Sequence, residues 1–76
     1  MTKSELLTAY GRALVAEFDW AKDQERLARF LFSASRTIRG TAATWNHDSE
    51  VIRRVWRELG GKGRVTLKAL RALPEN

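Results

Sequence analysis

The side chains in this sequence best equipped for chemistry are cationic, and they crowd into its C-terminal part. Arg53, Arg54, Arg57, Lys62, Arg64, Lys68 and Arg71 all fall between Ser49 and Leu73. Guanidinium groups match phosphate oxygens with paired N–H donors, and lysine adds point charge. The run GGKGR at 60–64 supplies glycines whose backbone N–H groups can approach a phosphate without side-chain obstruction. The free amides at the start of a helix after this turn would add donors. The segment reads as helix, glycine turn and short helix, suited to gripping a nucleic-acid backbone.

A second basic set is formed by Lys22, Arg29 and Arg36, spaced by sevens, with Phe32 and Arg39 beside the row. On one helix this face can track phosphates while the ring stacks or packs. The plainer reading is a solvated arginine face, with Phe32 meeting another helix or subunit.

Other chemistries are poorly served. The chain has no cysteine and one histidine, which removes thiolate zinc sites and histidine clusters. His47, Asp48 and Ser49 are triad residue types, but adjacency in sequence is not triad geometry, and Asp48 and Ser49 suit helix capping better. GKGR lacks the glycine spacing, the Lys-Ser/Thr pair and the preceding strand of a Walker loop. No enzymatic activity and no cofactor are expected. A helix-turn-helix reader fits loosely. Gly61, Leu67 and Leu70 take suitable places, but Arg57 and Lys62 stand where small and apolar residues are usual.

Charge is uneven along the 76 residues. Residues 1–25 carry three basic and five acidic groups, a net −2, while residues 26–76 carry eleven basic and four acidic groups, a net +7. Such asymmetry is an electrostatic footprint for an anionic partner. No apolar run reaches the roughly 20 residues a membrane helix needs, and the N-terminus lacks a secretory pattern, so a cytoplasmic location is expected.

The elements that must position these groups are helical. Thr2 and Glu5 stand in capping-box relation at the start of a helix over about Lys3–Phe18, with Leu7, Tyr10, Leu14 and Phe18 on its apolar stripe and Gly11 offering a close approach. A second helix is predicted over about Trp20–Arg39, capped by Asp19 or Asp23 and stopped by Gly40. Residues 41–47 read as a loop in which Trp45 either anchors an interface or closes the core. Asp48 or Asn46 would cap a third helix, Ser49–Leu59, whose apolar face is Val51, Ile52, Val55, Trp56 and Leu59. Thr66 caps a short last helix, with Val65 and Leu70 as a hydrophobic staple, and Pro74 leaves Glu75 and Asn76 as a tail.

The expected fold is therefore all-α, a single domain of about four helices over residues 1–76, the last one short. Its core is expected around Leu7, Leu14, Phe18, Leu27, Leu31, Ile38, Val55, Trp56 and Leu70. The expected function is a small basic nucleic-acid-binding protein, DNA or RNA, of a kind that can serve as a regulator. The alternative is a protein-interaction module whose basic surface docks on an acidic protein. A homo-oligomer burying Phe32 or Trp45 between copies is compatible with either.

Overall fold

The capping box at the N-terminus starts the fold as its residue types dictate. Thr2 Oγ1 accepts the Glu5 amide at 3.1 Å, and Glu5 Oε1 accepts the Thr2 amide at 3.2 Å. Helix α1 follows over Lys3–Glu17 in the computed structural model, which describes residues 1–40 and 49–75. Its buried stripe is Leu6, Tyr10 and Leu14, which keeps Tyr10 and Leu14 of the stripe the sequence suggests and has Leu6 in place of Leu7. Leu7 is only half-buried, and Phe18 is 41% exposed. Phe18 leaves the core because the helix ends before it. Its extended backbone (φ −128°) takes the ring out of helical phase and onto Trp20, at 6.3 Å between centroids.

A single 3-10 turn, Asp19–Lys22, separates α1 from α2, Gln24–Ile38. The expected helix from Trp20 is thus shortened. Asp23 adopts extended backbone and caps α2, its carboxylate accepting the amides of Glu25 at 3.1 Å and Arg26 at 3.3 Å. Gly40 ends α2 with a φ of +95°, a conformation open chiefly to glycine. Gly11 does give a close approach, since a Cβ there would meet Leu31 Cδ1 at 3.0 Å.

Helix α3 spans Glu50–Glu58, one residue later than expected, because Ser49 itself is the cap and accepts the Ile52 amide at 3.4 Å. Asn46, Asp48, His47, Trp45 and the expected loop over 41–47 lie outside the described residues. Helix α4, Leu67–Arg71, is capped by Thr66, with Val65 and Leu70 both buried as the staple requires.

The helices enclose one core. Leu6, Tyr10 and Leu14 of α1 meet Ile52, Val55 and Trp56 of α3, with Ile38 and Leu70 completing the cluster. Leu27 and Leu31 pack against this cluster from its edge. Full burial of side chains this size contributes about 1.5–3 kcal/mol each, so the α1–α3 seam is the main source of stability. Glu75 is not a loose tail. The Lys3 amide donates to the Pro74 carbonyl at 2.8 Å, and Glu75 accepts from Lys3 Nζ at 3.0 Å and Arg39 Nε at 3.1 Å. These contacts tie the start of α1 to the end of α2. Among the described residues no helix is long and apolar enough to cross a membrane, and no strand occurs.

Candidate nucleic-acid interface

Helix α3 commits Val51, Ile52, Val55 and Trp56 to the core, so its opposite face must carry the charge. Arg53 and Arg57, four residues apart, share that face and are exposed. The helix ends in a Schellman motif: the Gly60 amide donates to the Arg57 carbonyl at 3.0 Å and the Gly61 amide to the Trp56 carbonyl at 2.8 Å. Gly60 has a φ of +89°, and Gly61 lies against the Trp56 indole. The turn therefore folds back along α3 and brings Arg64 beside Arg53 and Arg57.

The result is an open cleft of about 420 Å³ lined by Glu50, Arg53, Trp56, Arg57, Gly63, Arg64 and Val65. Buried Trp56 and Val65 give it an apolar wall. Among the described residues the buried Trp56 indole N–H has no hydrogen-bond partner, and Gly61 lies against that edge of the ring. Among the described residues, no ion pair engages Arg53, Arg57, Arg64 or Glu50. Three guanidiniums and one carboxylate thus face solvent around a single concavity.

The other four C-terminal cations do not line this cleft. Arg54 turns toward α1 and pairs with Glu17. Arg71 donates to the Thr37 carbonyl from Nε at 3.3 Å and Nη2 at 3.1 Å, capping the end of α2. Lys62 and Lys68 are exposed and do not line the cleft. The seven cations expected to act as one surface are therefore divided between binding geometry and structural contacts.

The second basic face is also divided. Lys22 belongs to the 3-10 turn rather than to α2, and it pairs with Asp19 at 3.0 Å. Arg39 bonds Ser35 and Glu75. Only Arg29, Arg36 and Phe32 remain as an exposed group, with the Arg36 guanidinium 5.6 Å from the Phe32 ring centroid.

Sequence reasoning passed over Glu50 as a cleft residue and Lys3 as a buried cation. The signal for Glu50 was its spacing: it precedes Arg53 by three and Arg57 by seven, which places all three on one helical face. Nothing in the sequence marks Lys3, because its burial depends on Glu75, distant along the chain. No protein-family model, no curated protein and no solved structure matches the chain.

Proposed function

We propose that this protein binds nucleic acid through phosphate contacts made by Arg53, Arg57 and Arg64, with Lys62 and Lys68 extending the contact at the flanks. The observation that supports this most is the convergence of three guanidiniums, none ion-paired among the described residues, on one open cleft. An arginine already engaged with a carboxylate must lose that contact before it takes a phosphate; these three need not. Arg54 and Arg71 serve the fold instead.

Binding of this kind releases counterions. Three to five neutralised phosphates correspond to a slope of log affinity on log salt of roughly −2 to −4.5. Fluorescence anisotropy with labelled oligonucleotides at several salt concentrations measures that slope. Absence of binding at low salt overturns the reading.

A second reading has its own observation. Phe32 is 64% exposed with Arg36 over its ring, and aromatic and arginine side chains are enriched at protein interfaces. An acidic protein partner docking there would lose affinity on Phe32→Ala, whereas nucleic-acid binding at the cleft would be unchanged.

A further inference from the structure

The cleft is not uniformly cationic. Glu50 lines it together with the three arginines. An ionised carboxylate only accepts hydrogen bonds, and beside a phosphate it is repulsive. A surface shaped for phosphate alone gains nothing from it. Its place in the first turn of α3 suits the helix dipole, yet Arg53 and Arg57 share its helical face and neither forms an ion pair with it among the described residues. The Glu50 oxygens remain available to a donor carried by the ligand.

Resting on the nucleic-acid reading, we propose that this cleft selects RNA over DNA, with Arg53, Arg57 and Arg64 holding phosphate and Glu50 accepting a hydrogen bond from the ribose 2′-hydroxyl. A nucleic-acid chain offers two kinds of donor, the base N–H groups and the 2′-hydroxyl. Base donors change with sequence. The 2′-hydroxyl sits on the carbon next to the one bearing the 3′-phosphate, so it keeps a fixed short distance from phosphate in every nucleotide. A carboxylate lining the same cleft as phosphate-binding arginines is placed to accept from such a donor. DNA lacks the hydroxyl and leaves Glu50 facing phosphodiester charge with nothing to accept.

Two further features agree. A volume of about 420 Å³ lies within the roughly 300–1,000 Å³ range of small-ligand sites, enough for a nucleotide-sized group. Trp56, the aromatic residue lining the cleft, is only 5% exposed and cannot serve as a stacking platform for a base. Recognition here falls on the sugar and phosphate, independent of sequence.

The test is anisotropy with labelled single-stranded RNA, DNA and 2′-O-methyl RNA of one sequence at one low salt concentration. The wild-type protein should bind RNA roughly tenfold more tightly than DNA, the scale of one hydrogen bond to a charged group. The 2′-O-methyl RNA, which cannot donate, should bind at the DNA level. Glu50→Ala, whose fold is checked by circular dichroism, should bring the RNA and DNA affinities together. Equal affinities in the wild type, tight binding of the 2′-O-methyl strand, or an RNA preference that survives Glu50→Ala each overturn the proposal while leaving phosphate binding intact. Failure to bind any strand overturns both. The 2′-O-methyl comparison uses only the wild-type protein, so it holds even where the variant misfolds.

Discussion

Gly61 rests on the indole of Trp56 so closely that a Cβ at position 61 would stand 2.3 Å from Trp56 Cε2. The same residue donates its amide to the Trp56 carbonyl at 2.8 Å, so both the backbone and the ring of Trp56 fix where the turn begins. Gly61→Ala must displace either the turn or a buried ring. Overpacking of this kind costs about 1–3 kcal/mol, and chemical denaturation should show a loss in that range. In a Trp56→Leu background the penalty should shrink. A double-mutant cycle should return a coupling of about 0.5–3 kcal/mol, and strict additivity would mean that the contact carries no energy.

The arginines should separate into two classes when replaced one at a time. Arg71 donates twice to the Thr37 carbonyl, so Arg71→Ala should lower stability by about 1 kcal/mol, the net scale of such hydrogen bonds. Its effect on oligonucleotide affinity should be small. Arg57→Ala should do the reverse, leaving the melting temperature unchanged while weakening binding and making the salt slope shallower by roughly one phosphate's share. Paired thermal melts and anisotropy titrations distinguish the classes. Loss of binding in Arg71→Ala with no loss in Arg57→Ala would move the interface to the α2–α4 side.

Stability in acid should depend on Glu75. Its carboxyl is held below the ordinary range, first by the hydrogen bond from Lys3 and then by that from Arg39. A carboxyl lowered in the folded state contributes stability that is present above its unfolded value, about 4.3, and lost as pH falls through the folded value. Glu75 is exposed, so salt screens part of this contribution. Glu75→Gln should therefore be less stable than wild type at neutral pH, where Lys3, with its side chain only 9% exposed, loses its anionic partner. Denaturation curves measured from neutral pH downward should show the two proteins converging below about pH 4.3. A gap that stays constant would remove Glu75 ionisation as its cause.

Local signals were legible in the sequence; those that depend on distant partners were not. Thr2, Glu5, Thr66 and the Gly60–Gly61 pair act through neighbours a few residues away, and their residue types announce what they do. The apolar face of α3 was equally plain, because four of its residues follow the helical period. Phe18 was misplaced because periodicity assumes that the helix continues, whereas the extended backbone at Phe18 resets the direction of every side chain after it. The candidate interface was half legible. Composition identified the arginines, but Arg54 and Arg71 find their partners on α1 and α2, 37 and 34 residues away. Which cations stay free depends on tertiary neighbours that spacing does not encode.

Phe32 poses the remaining question about this surface. Its ring is 64% exposed with the Arg36 guanidinium over it, so it contributes little to the fold of a single copy. Phe32→Ser should change stability by less than about 0.5 kcal/mol, the usual range for surface positions away from special features. A larger loss would mean that the ring is buried in solution, and a contact between copies is the direct way to bury it. Light scattering at several concentrations separates the cases. A wild-type mass that rises with concentration, against a constant mass for Phe32→Ser, assigns the ring to self-association. Equal and constant masses leave Phe32 available to a different protein, and binding of an acidic partner should then be the property that the substitution removes.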